Sequence, residues 1–148
     1  MYRSALIVAV FIFFASLVFT QQSSNPPATQ KPPSYDAIPV EMSKQTNPVK
    51  STPESLARAK KWWTLDCEMC HGKVGDGKGD TAKEMKLQIV DFTDPATLKS
   101  RTDGELFWII KNGHNDMPAE GPRIKPEENW DLVNYVRSLA KKSVDAKQ

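Results

Sequence analysis

Cysteine is nearly absent from this 148-residue chain, which has two, Cys67 and Cys70. Two thiols at that spacing exclude a disulfide-rich scaffold and any site built from four thiolates. Paired with each other, they would close only a trivially small loop. An excess of charge of either sign is missing as well. Lys plus Arg number 20 and Asp plus Glu 18, a net +2 at pH 7, so the chain lacks the basic footprint of a nucleic-acid binder. No glycine precedes Gly72; all 7 lie between Gly72 and Gly121. Phenylalanine and proline are segregated too. Four of the 6 Phe lie between Phe11 and Phe19, and six of the 11 Pro between Pro26 and Pro48. Only about the last hundred residues have the composition of a folding unit, which excludes two full-sized domains.

What is present begins with an apolar leader. Arg3 supplies a positive start, and Ala5 to Phe19 is apolar except for Ser16, the layout of an export signal. As a helix, Ser4 to Thr20 would span roughly 25 Å, slightly short of the ~30 Å hydrocarbon core. Residues 1–20 therefore read either as a signal peptide cut after Thr20, with Val18 three positions before the cut, or as a retained N-terminal membrane anchor. Cleavage is the preferred reading. Both place the rest of the chain in the periplasm or on the outer face of the cytoplasmic membrane. Residues 21–50 carry Pro26-Pro27 and Pro32-Pro33 among Ser, Gln and Thr, with few large apolar residues. That composition predicts a disordered, partly polyproline II tether.

Residues 51–148 form the expected domain, and its class is all-α. Three principal helices and a shorter one are predicted. The first starts at Thr52-Pro53, a capping residue followed by a proline suited to the first helical position. Leu56, Ala59, Trp63 and Cys67 then recur at steps of three and four, making one apolar face. The second opens at Thr102, with Glu105 three residues later completing a capping box. It carries Leu106, Phe107, Ile109 and Ile110 and stops at Asn112-Gly113. The third opens at Pro126-Glu127-Glu128, acids at the positive end of the helix dipole, with Leu132, Tyr135, Val136 and Leu139 facing inward. The short helix is expected over Thr81 to Leu87. No stretch alternates with period two. A unit this small, with long irregular segments at 72–80 and 115–125, needs something besides side chains to fill its middle.

Cys67-Glu68-Met69-Cys70-His71 supplies that filler. C-x-x-C-H is the attachment signature for haem c. Two thiols one helical turn apart can add to the two vinyl groups of one porphyrin, and the next imidazole then lies beneath the iron. A thiol-disulfide redox site would need a βαβ setting that is missing here. A zinc site from Cys67, Cys70, His71 and His114 has crowded ligands and the wrong spacing. The second axial ligand is sought downstream. Met117 is preferred, because Pro118 restricts it to extended geometry and stiffens its loop. Met85 and His114 remain the alternatives.

With these residues in place, the stretch from Ala57 to Ala140 resembles a small class I cytochrome c, of the kind found as soluble carriers and as domains of bacterial respiratory complexes. The resemblance rests on Trp63 ahead of Cys67-to-Gly72, on Gly75-Asp76-Gly77-Lys78-Gly79 and on Asp91-Phe92-Thr93. It continues through Gly104 to Gly113, Met117-Pro118 and Leu132 to Leu139. It implies that the first and last helices cross near Ala59, Trp63 and Tyr135. Two departures stand out. Ala59 occupies a position where the family usually has Gly. No Pro occurs between Cys70 and Pro95, so the family's usual carbonyl partner for the proximal His has no counterpart in the sequence.

The expected function is single-electron transfer by one haem c bound through Cys67 and Cys70, with His71 and Met117 as metal ligands and no catalytic residue. A thioether ligand raises the potential. Walls from Trp63, Leu106, Phe107, Ile110 and Leu139 would act in the same direction. The alternative is a haem enzyme or gas sensor with an open sixth site and His114 as the distal imidazole. The expected partners are redox proteins, including membership of a respiratory complex, with membrane association through residues 1–20. From Ser51 onward there are 16 Lys plus Arg and 16 Asp plus Glu, so no single oppositely charged partner is implied. Lys73, Lys78, Lys83 and Lys86 read as a solvated face.

Overall fold

Thr52 and Thr102 start two helices as their sequence context predicts. In the computed structural model, which describes residues 37–145 and their side chains as far as residue 140, the Thr52 hydroxyl accepts from the Ser55 N–H at 3.2 Å. Thr102 and Glu105 form both halves of their capping box. The elements are α1 (Val40–Ser43), α2 (Pro53–Trp62), a π turn (Trp63–Cys67), α3 (Glu68–His71), α4 (Asp80–Met85), α5 (Asp103–Asn112) and α6 (Pro126–Asp145). The described residues form no named strands and only one isolated antiparallel bridge, between His114 and Met117. None of the described helices is long and apolar enough to cross a membrane. The leader at residues 1–20 and most of the tether lie outside the described residues.

The largest helix–helix interface is α2 against α6. Ala59 and Val133 are fully buried, with Leu132 almost as completely enclosed. Trp63 and Tyr135 meet with ring centroids 5.4 Å apart, at the crossing the resemblance implies. The interface is also tied by charge. Arg58 holds the fully buried Asp131 with two parallel hydrogen bonds, 2.7 Å from Nε and 3.0 Å from Nη2. Such a forked pair satisfies a carboxylate that burial would otherwise penalise. Trp130 is buried and stacks on Phe107 at 4.1 Å, which places both in the core. The four lysines after the attachment motif, Lys73, Lys78, Lys83 and Lys86, are all exposed.

The regular spacing of Leu56, Ala59, Trp63 and Cys67 predicts one continuous α-helix. The chain instead loosens into the π turn from Trp63 to Cys67. The wider turn inserts a residue relative to α spacing and changes how the attachment segment faces the interior.

From Val40 onward, the stretch read as the end of the tether is packed on the domain. The Asn47 side-chain amide donates to the Trp130 carbonyl and to Asn134 Oδ1, both at 3.0 Å, and Asn134 donates back to the Val49 carbonyl at 2.9 Å. Met42 and Val49 lie against the core. Composition alone hides this, because two amides and two apolar side chains suffice where α5 and α6 already offer a surface. Gly104 makes the close approach possible, since a Cβ there would sit 1.9 Å from the Met42 carbonyl oxygen. Gly104→Ala is therefore expected to detach α1 at a cost of about 1–3 kcal/mol, the usual range for overpacking. Hydrogen exchange of the amides from Met42 to Val49 checks it; unchanged protection would refute the steric argument.

Candidate functional site

The interior space left by these helices is a cleft of about 480 Å³, counting its open mouth, lined by Trp63, Cys67, His71, Phe92, Leu106, Ile109, Ile110, Met117, Leu132 and Val136. Apart from the thiol, the imidazole, the thioether and the indole, every lining side chain is hydrocarbon. The cleft receives residues from the π turn, α3, α5, α6 and two loops. No single element could enclose it.

His71 ends α3, where Gly72 follows at φ +80°. The imidazole stacks on Phe92 with centroids 5.1 Å apart and planes at 17°, and leans against Trp63 at 5.8 Å. Burial lowers its pKa to about 4, because leaving water penalises the cation. At neutral pH the ring is uncharged and keeps a lone pair for a metal. Its Nδ1 is buried without a hydrogen-bond partner, as is Trp63 Nε1. Thus an aromatic stack, in place of a carbonyl acceptor, orients the imidazole. Phe92 escaped the sequence reading as a wall residue because it lies 21 positions beyond His71, in a loop with no periodic signal.

Cys67 lines the cleft, with Sγ 4.0 Å from the Trp62 carbonyl. Burial, aided by the nearby Glu120 and Asp66 carboxylates, pushes its thiol up to about 12. It is a neutral thiol at physiological pH. Cys70 is partly buried on the next turn and is not among the lining residues.

Met117 comes from the loop after α5. Gly113, at φ +77°, ends the helix, and a tight reversal follows through Asn115 at φ +49°. The His114 N–H donates to the Met117 carbonyl at 3.0 Å and the Met117 N–H to the His114 carbonyl at 2.8 Å. This pairing delivers Met117 to the cleft. The two alternative ligands are placed elsewhere. Met85 is 60% exposed on α4, and His114, at the start of the reversal, is not among the lining residues. Of the expected walls, Trp63, Leu106 and Ile110 line the cleft. Phe107 and Leu139 do not; Phe107 is taken up by Trp130, and Leu139 lies against Gly75. Ile109, Leu132 and Val136 line it in their stead. Ile109 and Ile110 are adjacent on α5, and sequence spacing does not rank neighbours so close on one helical arc.

Comparison with known proteins decides the family. The family model for cytochrome c oxidase, cbb3-type, subunit III matches residues 54–136, from the first turn of α2 to the inner face of α6. The chain belongs to this cytochrome c family. Among curated relatives, cytochrome c6 of Pyropia tenera is 29% identical over 87 residues, which cover 59% of this chain and 95% of that one. Cytochrome c6 of Pyropia yezoensis is 29% identical over 87 residues, covering 74% of its own length. Among solved structures, the Kuenenia stuttgartiensis reducing HAO-like protein complex is similar with a TM-score of 0.55 and 27% identity, over 62% of this chain. The match takes in 46% of that chain, so this protein spans less than half of it.

As a cytochrome c, the protein is an electron-transfer protein rather than an enzyme, with haem c as its cofactor. The residues present fit that group. The cleft is concave and has the apolar lining that cofactor sites favour. An uncharged imidazole and a thioether both line it, the donor pair of high-potential cytochromes. The orphaned Nδ1 of His71 also marks the ring as a group whose polar bonding is incomplete in the polypeptide alone.

Proposed function

We propose that this protein is a monohaem electron carrier working outside the cytoplasmic membrane, with one haem c bound covalently through Cys67 and Cys70 and ligated by His71 and Met117. The observation that carries this reading is that Cys67, His71 and Met117, drawn from the π turn, α3 and the loop after α5, all line one apolar cleft. When bound, haem supplies the one-electron couple. The chain's part would be to hold the iron through His71 and Met117, exclude water and set the potential. His71 offers a neutral ring held by Phe92; Met117 offers a soft ligand favouring the reduced metal. Hydrocarbon side chains from α5 and α6 disfavour the extra positive charge of the oxidised state. No distal acid–base group lines the described cleft, which favours a carrier over a peroxidase-like site.

Residues 1–20 act as a signal peptide or membrane anchor and residues 21–39 as the connection to the domain, on which the segment from Met42 to Val49 is already packed. The family match to an oxidase subunit, together with a structural relative drawn from a complex, supports redox-protein partners and a place in a respiratory assembly.

A visible spectrum of the exported protein in both oxidation states, with haem quantified under denaturing conditions, tests the proposal. One covalent haem per chain, low-spin, with a ferric Met-to-iron absorption band, is the expected result. A high-spin ferric spectrum that binds carbon monoxide or cyanide rapidly would replace the carrier by the open-site reading. Membrane fractionation tests the leader separately: release by salt without detergent excludes a retained anchor.

A further inference from the structure

Arg123 is not among the residues lining the cleft, yet it ties the attachment turn to the methionine loop. From the loop beyond Met117, its Nη1 donates to Asp66 Oδ1 at 2.9 Å across 57 positions of sequence. Its Nη2 donates to Glu120 Oε2. Asp66 belongs to the π turn and immediately precedes Cys67; Glu120 follows Met117 by three residues. The guanidinium therefore grips one carboxylate from the attachment segment and one from the methionine loop. Their side chains are only 18% and 5% exposed, against 50% for Arg123. Without the cation, two shielded carboxylates would share this corner and repel each other.

The rest of the loop is anchored from the opposite side. The Glu120 N–H donates to the Ile110 carbonyl at 3.0 Å, and the Gly121 N–H to the Lys111 carbonyl at 2.9 Å. Both bonds run to the C-terminal end of α5, so they fix where the loop leaves that helix. Beyond them Ile124, next to Arg123, is buried in the core, and the Arg123–Asp66 bond joins the loop to the attachment turn.

We infer that Arg123 is a positioning residue that clasps the methionine loop to the attachment turn and so keeps Met117 on the metal. The inference rests on the reading of Met117 as the sixth ligand. A charge-assisted bond with one well-shielded partner stabilises the closed loop. Losing it raises the population in which the loop is locally open while the rest of the domain stays folded.

The test uses the exported, haem-loaded full chain. Cyanide binding to the ferric protein reports opening, because cyanide must take the position that the methionine vacates. The wild type comes first: a Met-to-iron band establishes the ligand, and its absence overturns that reading, and the clasp with it, before any variant is compared. Given the band, Arg123→Gln is expected to bind cyanide about tenfold faster, with a weaker band and a lower midpoint potential. Arg123→Lys, keeping the charge but not the fork, should fall between. Asp66→Asn, which loosens the clasp without leaving two carboxylates unpaired, should shift the same readouts in the same direction by less, and the double variant should be no worse than Arg123→Gln; Asp66→Asn carries the test if Arg123→Gln does not mature. A lowered melting temperature with unchanged cyanide rate, band and potential would make the pair a stabilising surface contact and overturn the proposal.

Discussion

Cys67→Ala combined with Cys70→Ala is expected to yield an exported chain with no covalent haem and little helical structure. The reason lies in the core. The apolar side chains facing the cleft, from Trp63 and Phe92 to Leu132 and Val136, come from separate elements and converge on the place a porphyrin would occupy. Burial of these side chains against a covalently held macrocycle would contribute at about 25 cal/mol per Å² of apolar surface, in a fold whose net stability is expected to be only about 5–15 kcal/mol. Haem staining on a denaturing gel together with far-ultraviolet circular dichroism checks both halves of the expectation. A colourless chain that unfolds cooperatively from a compact helical state would refute it.

Met117→Ala should convert the low-spin ferric protein to a high-spin one and lower its midpoint potential by on the order of 0.2 V, a fraction of the ~0.8 V that axial ligands span. The sign follows from the ligand. A thioether stabilises the reduced metal, so replacing it by water or hydroxide removes that preference. The cleft also becomes wetter where Met117 lined it, which stabilises the oxidised charge further. A spectroelectrochemical titration measures both effects. If spectrum and potential stay unchanged, the ligand is Met85 or His114. For either to serve, α4 or the reversal after Gly113 would have to rearrange, because neither residue lines the cleft in the folded chain.

The two variants probe different layers. The double cysteine change removes what the core is assembled around, whereas the methionine change leaves the core and alters one axial position. Their contrast separates haem as a structural element from haem as a tuned redox centre. Gly104→Ala acts on a third layer, the packing of the segment that leads into the domain, and should leave spectrum and potential alone.

Much of the site was legible in the sequence because its parts are local. C-x-x-C-H places two thiols and an imidazole within one turn and a half of helix, and the carrier reading needs only that spacing and a downstream thioether. The helix starts were equally legible: a Thr hydroxyl reaching three residues forward leaves a signature in the residues themselves. Other features left no such trace. The π turn from Trp63 to Cys67 looks like ordinary helix, because a single inserted residue barely disturbs a short apolar stripe. Phe92 reads as a loop residue until the fold lays it on His71. The packing of Met42, Asn47 and Val49 is invisible in a stretch whose composition suits a tether.

From the sequence by itself came the all-α class, the starts of α2, α5 and α6, the attachment motif and the short set of candidate ligands. All of these arise from interactions reaching no more than about four residues along the chain. The tertiary structure alone decided which methionine lines the cleft, which side chains wall it, how the imidazole is held, and that Arg123 bridges the loop to the turn before Cys67. Those outcomes depend on groups tens of positions apart meeting in a low-dielectric interior. Neither periodicity nor capping chemistry encodes such meetings.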